Sequence, residues 1–333
     1  MYNLNEIKKN GGAGMTLTEL ARLAHVSTST ASKAFALSPE VNDQTKDMIF
    51  EVAKANGCFK KFYRSEYPGL LFAIICPEFE STYYADFISE MNGYLSHYNS
   101  EVAVAATGFD GETEQRLIEY YQRYHTADGI ILINGFTALP PRSDVPIATV
   151  NCHTGCEGVV NVKIDLQNSV NLMIKSWAER GVRDVGFIGD RYTGERLNNL
   201  RRALSDHGIP IHEEYFATTS GRFEECGYRG ARELIARGKV PRALLCAYDR
   251  IAVGAMRAFG ECGIRIPDDV AIFSVDDAPG SAYSTPSLTS ASHKVDEVCR
   301  ALATALMARV KGEEYESDIR FEGELKMRES SEV

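Results

Sequence analysis

MTLTELARLAHVSTSTASKAF, residues 15–35, decides how the start of this chain folds. Thr16-Leu17-Thr18-Glu19 fits a capping box, in which the hydroxyl and the carboxylate each satisfy a free backbone N–H at a helix start. Leu17, Leu20, Ala21, Leu23 and Ala24 then recur at helical spacing and make one apolar face. The helix ends near His25. Ser27 is a good N-cap for a second helix that reaches about Phe35 and has Ala31, Ala34 and Phe35 on its apolar side. A third helix starts from Asn42, runs through Thr45, Ile49, Val52 and Ala53, and stops at Gly57. Two short helices joined by a tight turn and crossed by a third predict a helix-turn-helix. The second helix of that motif enters the major groove of DNA with its N-terminal residues at the base edges. The small hydroxyl residues Ser27–Thr30 are mediocre helix formers. They do let a backbone approach closely, and they offer hydroxyls to phosphates or bases. The competing reading of these residues is a capped helical hairpin inside a core.

The chain around this stretch has 333 residues, 44% of them hydrophobic, which suits two or three domains with a sizeable core. No apolar run is long enough to span a membrane, and no basic-then-apolar start marks a secretory signal. The eight cysteines lie singly in apolar stretches, as reduced thiols do in a cytoplasm. The net charge of −10 argues against a chain that binds nucleic acid throughout. Residues 15–69 nevertheless hold seven Lys and Arg against six Asp and Glu, and residues 1–14 add one more positive charge, so the remainder carries −12. A weakly positive head on an acidic body fits a small DNA-contacting module attached to a larger domain that stays off DNA.

From residue 70 onward, short apolar strands alternate with helical spacing. Strands are predicted at Leu70–Cys76, Val102–Thr107, Gly129–Ile133, Ile147–Val150, Val185–Gly189, Ala243–Ala247 and Val270–Val275. Helices fall between them, at Tyr84–Tyr98, Thr113–Tyr124, Asn168–Glu179, Thr193–His207, Glu224–Arg237, Arg250–Cys262 and Val295–Val310. The alternation implies parallel sheets covered on both faces, and its extent implies two similar lobes. Open α/β lobes bind ligands at the carboxyl ends of their strands, so the cleft between lobes is the expected ligand site. Asn134 and Phe136 follow one strand, Asp249 ends LLCAYD, and Asp276 ends IFSVD. An Asp beside a sugar ring accepts paired hydroxyl hydrogen bonds; the alternative for Asp249 is a cap on the helix beginning at Arg250. Trp177 reads as a packing residue.

Residues 15–35, with SPEVNDQTKDMIFEVAKANG after them, resemble the headpiece of the LacI/GalR (lac-repressor) family of transcriptional regulators. TADGIILI, NVKIDLQNSV, RALLCAYDRIAVGAMRAFGECGIRIPDDVAIFSVDD and TPSLTSASHKV follow in that family's order, so the resemblance covers about residues 15–330. It implies an α/β protein with an N-terminal helix-turn-helix headpiece and a two-lobe, periplasmic-binding-protein-like body built on parallel sheets. The family's chain crosses between lobes three times, here near Lys163, Ala291 and Gly323. By position, Thr28 and Ser29 fall where the family reads bases, and Lys33 stands where it usually has Arg. Lys is the poorer bidentate partner for guanine. Ser27, Thr30 and Ser32 match positions that grip phosphate; Thr16, Lys60 and Lys61 complete the DNA-contacting set. Tyr83 and Tyr84 match an aromatic pair that faces the family's cleft. Arg196 matches an Arg that grips ligand hydroxyls or carboxylates, and Arg222 or Phe223 stands near a stacking aromatic. His25 replaces a usual turn Gly, Ala31 a Val and Phe35 a Leu, and all three read as packing changes.

These readings divide the chain into a leader at 1–14, a headpiece at 15–59, a hinge or linker at 60–69 and a body at 70–333. Lobe 1 is expected at 70–162 and 292–323, and lobe 2 at 163–291 and 324–333. The leader is either translated sequence ahead of a native start at Met15 or a flexible arm. The hinge lacks the Ala-Arg pair usual in the family, and Pro68 ends any helix by Tyr67. Lys60, Lys61 and Arg64 still offer phosphate contacts. Phe62 or Tyr63 either wedges into the minor groove or packs, and weaker DNA bending than is typical of the family is expected. Cys152, His153 and Cys156 lack a fourth metal ligand, and GFIGD at residues 186–190 lacks dinucleotide-loop glycine spacing. No nucleophile–His–acid set is present, so no metal, cofactor or enzyme activity is expected. The expected function is a cytoplasmic, sequence-specific transcription regulator, a repressor. Its partners are a double-stranded DNA operator, a second copy of the chain in a homodimer (or a tetramer), and a small effector, a sugar or related metabolite. The alternative is a periplasmic-type solute-binding protein without a DNA role.

Overall fold

A computed structural model describes residues 15–63, 69–124, 126–135, 139, 145–152 and 158–332. The chain divides into two compact units at Leu71. The first holds α1 (Leu17–Leu23), α2 (Thr28–Phe35), α3 (Asp43–Ala55) and α4 (Phe59–Phe62). The capping box forms: the Thr16 hydroxyl accepts the Glu19 N–H at 3.3 Å, and the Glu19 carboxylate accepts the Thr16 N–H at 2.7 Å. Ser27 caps α2 by accepting the Thr30 N–H at 3.0 Å, and Asn42 caps α3 through the Thr45 N–H at 2.8 Å. Leu20, Ala21, Ala31, Ala34, Phe35 and Ile49 form the core. His25 is exposed at φ +53°, a backbone region that glycine adopts without strain. Its departure from the family is therefore conformational and not the packing change expected.

The headpiece also extends past the expected limit at Phe59. Phe62 packs 5.7 Å from Phe35, Tyr63 stacks 5.0 Å from Phe59, and the Lys61 ammonium donates to the Met15 carbonyl at 2.7 Å. Residues through Tyr63 thus belong to the headpiece core and not to a linker. Residues 1–14 and 64–68, with the leader, Arg64 and Pro68, lie outside the described residues.

The second unit carries two six-stranded sheets. The first has the order β11-β5-β4-β3-β1-β2, from β1 (Leu70–Cys76), β2 (Ser100–Ala106), β3 (Gly129–Ile133), β4 (Ile147–Val150), β5 (Val160–Asp165) and β11 (Asp318–Glu322). The second has the order β12-β10-β9-β8-β6-β7, from β6 (Val185–Asp190), β7 (Phe216–Thr219), β8 (Ala243–Cys246), β9 (Ala271–Asp276), β10 (Thr289–Ser292) and β12 (Glu324–Lys326). The pairs β1–β3, β3–β4, β4–β5, β5–β11, β6–β7, β6–β8, β8–β9 and β9–β10 are parallel, and β10–β12 is antiparallel. Helices α5 (Thr82–Ser96), α6 (Gly111–Tyr124) and α11 (Val295–Lys311) accompany the first sheet. Helices α7 (Gln167–Glu179), α8 (Gly194–Asp206), α9 (Phe223–Ala236) and α10 (Asp249–Glu261) accompany the second. Trp177 is fully buried against Phe273 in the second lobe, as a packing residue.

Both sheets wind alike. In each, the second strand lies outside the first while the later strands extend the other way, so the winding reverses beside β1 and β3 and beside β6 and β8. Ligands of such sheets sit at that reversal, outside the carboxyl strand ends. The chain changes sheet at Leu166, at His293-Lys294 and at Gly323, each within about three residues of the expected crossings. The three segments touch: a Cβ at Gly323 would lie 2.3 Å from the Leu166 side chain and 3.0 Å from the Ser292 carbonyl.

Helices α9 and α10 approach through glycines. A Cβ at Gly254 would lie 2.0 Å from the Glu224 carbonyl, and one at Gly227 would lie 1.8 Å from the Ile251 carbonyl. Gly254→Ala gains about 1 kcal/mol of helix propensity but forces two backbones apart. A net loss of about 1–2 kcal/mol is expected. A chemical-denaturation midpoint that stays put or rises would show that the helices slide apart freely.

Candidate functional site

Two surfaces carry the residues singled out by the sequence. On α2, Thr28, Ser29, Ser32 and Lys33 are exposed, while Ala31, Ala34 and Phe35 turn inward. Ser27 and Thr30 share a hydroxyl hydrogen bond of 2.8 Å at the head of the helix. Lys33 forms an ion pair with Glu40, and both border a hollow of about 250 Å³ with Ser29, Thr30, Asn42 and Thr45. Glu40 was not foreseen. Its carboxylate occupies the one ammonium expected to read a base, and DNA must compete for it. The side chain of Lys60 lies outside the described residues.

The second surface is the cleft of the body. Arg196, on α8, donates to the Ala247 carbonyl at 2.8 Å and to Asp276 Oδ1 at 3.1 Å. His293 Nε2 lies 3.2 Å from that same oxygen. A carboxylate acceptor places the imidazole proton on Nε2, and burial holds the His293 pKa below its usual value. The Tyr83 ring lies 4.4 Å from the His293 ring and 5.3 Å from Tyr84. Tyr84 accepts a hydrogen bond from Asn134 Nδ2 at 3.0 Å. The buried Tyr83 hydroxyl and His293 Nδ1 have no hydrogen-bond partner among the described residues. Asn134 and Asp276 hold φ of +51° and +115°. Such backbone costs energy in a non-glycine residue and concentrates at binding sites. The structure thus brings Tyr83, Tyr84, Asn134, Arg196 and Asp276 to one region. The sequence did not single out His293, whose only signal was its place at a crossing.

Asp249 requires a correction. Its carboxylate is 2% exposed and faces its own lobe. Oδ1 accepts from Ser274 and Ser290, and Oδ2 accepts from Ser281 and from the Ala278 N–H at 2.7 Å. Four donors fill the acceptor sites of a carboxylate, which leaves none for a ligand. Phe136, His153 and Cys156 lie outside the described residues. Cys152 is buried and receives the Gly135 N–H at 3.0 Å. No cluster of metal-ligating side chains occurs among the described residues.

A further group was missed almost entirely. Arg222, at the start of α9, pairs with Asp190 at the end of β6 and with Glu78 beyond β1. Tyr248 donates to Asp190 Oδ2 at 2.6 Å and receives the Phe223 N–H at 3.1 Å. Burial raises the pKa of Tyr248, and the bond to Asp190 raises it further. Each residue lies at or just beyond a strand end, a signal that was available, but the sequence offers no rule for pairing them.

A family model described as a periplasmic binding protein-like domain matches residues 174–331. The probable HTH-type transcriptional repressor ExuR of Bacillus subtilis is 27% identical, over 91% of this chain and 94% of that protein. The HTH-type transcriptional regulator AscG of Escherichia coli is 25% identical, over 95% of this chain and 98% of its own. The solved structure of the transcriptional regulator CelR with cellobiose aligns at a TM-score of 0.66 and 24% identity, over 95% of this chain and 99% of that one. A helix-turn-helix headpiece joined to a two-lobe ligand-binding body defines a DNA-binding transcription regulator. Along most of its length the chain resembles transcriptional regulators of the LacI/GalR type. The regulators it resembles run its length, headpiece included, which disfavours a stand-alone solute-binding protein. Among the described residues no helix is long and apolar enough to cross a membrane.

Proposed function

We propose that this protein represses transcription from a double-stranded DNA operator, and that a small polyhydroxylated metabolite, a sugar or a close relative of one, sets its hold on that operator. One observation carries the reading. Arg196, Asp276 and His293 form a bonded cluster at the strand ends of the second lobe, beside a buried Tyr83 hydroxyl from the first that has no hydrogen-bond partner among the described residues. A fixed guanidinium fork and a carboxylate suit adjacent ligand hydroxyls. Tyr84, Asn134 and Phe136 are assigned to the same ligand. A ligand touching both lobes favours one lobe orientation, and in a homodimer that orientation sets the spacing of two headpieces on half-sites about 34 Å apart. The protein acts in the cytoplasm.

A thermal-shift screen of sugars, sugar acids, nucleosides and sugar phosphates tests this, because a ligand of the folded state raises stability. Arg196→Ala and Asp276→Ala are each expected to cost about 2–5 kcal/mol of ligand binding and to leave operator binding by the ligand-free protein intact. A full ligand response in either variant contradicts the assignment. For DNA, Thr28→Ala and Ser29→Ala are expected to shift base preference by about 1–3 kcal/mol in a gel-shift series. Lys33→Ala is expected to weaken binding and flatten its salt dependence. Unchanged affinity and preference in all three would remove α2 as the reader.

A further inference from the structure

Arg222 touches carboxylates from both lobes. Asp190, on its own side, has a side chain only 1% exposed and is fully engaged: Oδ1 accepts the Tyr192 N–H at 2.9 Å, and Oδ2 accepts both Tyr248 and Arg222. Glu78, from the first lobe, is different. Arg222 holds its carboxylate, and among the described residues nothing in its own lobe bonds it. Beside the pair, Phe109 of the first lobe stacks on Tyr192 of the second, 3.9 Å between centroids and 14° from parallel. The guanidinium lies 5.4 Å from the Phe109 ring and 5.0 Å from the Tyr192 ring.

We propose that Arg222 is an anion subsite of the cleft, and that Glu78 occupies it as a stand-in until a ligand bearing a carboxylate or phosphate takes its place. The inference rests on the cleft being the effector site. One arm of the Arg222 fork is fixed on Asp190, so the other is aimed in advance across the cleft. A ligand that displaces Glu78 must give that arm an acceptor. A charged acceptor forms roughly twice the bond of a neutral one and leaves the net charge of the group unchanged. A neutral hydroxyl would leave a half-buried guanidinium with one carboxylate where it now has two, a costly exchange in a site ringed by aromatic side chains. The Glu78 carboxylate, bonded to no other group among the described residues, is free to return to water. The effector is then an acidic member of its class. Before it arrives, the lobes are held together along this rim by the Glu78–Arg222 pair and the Phe109–Tyr192 stack.

The test uses the full chain and Glu78→Gln, which keeps the side-chain shape and removes the charge. Without ligand, Glu78→Gln is expected to give a larger radius of gyration in solution scattering and faster hydrogen exchange at residues 107–111. Scattering and exchange identical to the wild type would overturn the stand-in role. The probes are glucose, glucuronate and glucose 6-phosphate, with the matching galactose set, followed by calorimetry. Glu78→Gln is expected to bind the acidic members about tenfold more tightly, since a charged competitor is gone. Arg222→Gln is expected to lose the preference for acids. The uronates and the phosphates separate the two sources of negative charge. Neutral sugars binding the wild type as tightly as their acids, or no acidic probe binding Glu78→Gln at millimolar concentration, would overturn the anion subsite. Either result leaves the cleft reading standing. That reading fails separately if a ligand's effect is insensitive to Arg196 and Asp276.

Discussion

Phe35→Ala is expected to unfold the headpiece and leave the body folded. The headpiece core is small, and aromatic rings make up much of it. Phe35 is 6% exposed and lies 5.3 Å from Phe50, 6.0 Å from Phe59 and 5.7 Å from Phe62. Truncating such a residue costs about 3–5 kcal/mol, which is comparable to the whole stability of a domain of this size. The body is a separate compact unit with its own core. Calorimetry of the variant should therefore retain the main transition, while gel-shift assays lose operator binding. Retained operator binding would mean that the rings are peripheral to headpiece stability. Phe62→Ala is a milder form of the same test, because Phe62 is only partly buried. A loss near 1–2 kcal/mol is expected, with the operator bend in a circular-permutation assay unchanged. The ring is committed to Phe35 and the Lys61 ammonium is tied to Met15, which leaves little to wedge between base pairs. A strong bend that vanishes in Phe62→Ala would show that α4 detaches on DNA and inserts the ring.

Asp249→Ala is expected to lower the stability of the body by about 3 kcal/mol. The substitution leaves the Ala278 N–H and the hydroxyls of Ser281 and Ser290 without the acceptor they use, and leaves Ser274 with only a 3.4 Å bond to the Thr289 carbonyl. These bonds tie the start of α10 to β9, to β10 and to the turn between them. The pH dependence distinguishes this role from simple packing. Burial, and the nearby Asp276 charge, push the Asp249 carboxyl up from its usual 3.8 to about 6, against the serine hydroxyls that pull it down. A carboxyl raised in the folded state keeps its proton longer there than in the unfolded chain. Its contribution is therefore most favourable near pH 4 and is lost progressively as pH rises to about 6. The gap between wild type and variant should accordingly be wider at pH 4.5 than at pH 7 in paired denaturation curves. A gap independent of pH would assign Asp249 a packing role alone.

Where local rules decide, the sequence was legible. Capping residues and 3.6-residue spacing placed α1, α2 and α3. Alternating apolar runs placed β1, β3 and β4 at the residues they occupy and the body helices within about two residues of their ends. Strands β5, β7, β10, β11 and β12 were missed, the last three for a visible reason. β10 reads Thr-Ser-Ala-Ser, with Thr289 and Ser290 fully buried because their hydroxyls bond Ser331 and Asp249. Polar residues that enter a core to satisfy other polar groups defeat an apolar pattern. β11 alternates exposed and half-buried positions at a sheet edge, and β12 has three residues.

The sequence by itself determined the helix-turn-helix, the strand–helix alternation and the candidate residues at strand ends, because capping, periodicity and strand ends are properties of neighbouring residues. Only the tertiary structure decided what those residues do. It turned Asp249 into an internal anchor, drew Phe62 into the headpiece core, gave Glu40 to Lys33 and joined Arg222 to Asp190 and Glu78. The partners of Arg222 lie 32 and 144 positions away in the chain. Whether a charged side chain is a ligand contact or a structural bond depends on which opposite charge the fold brings within about 3 Å of it, and no local pattern encodes that distance.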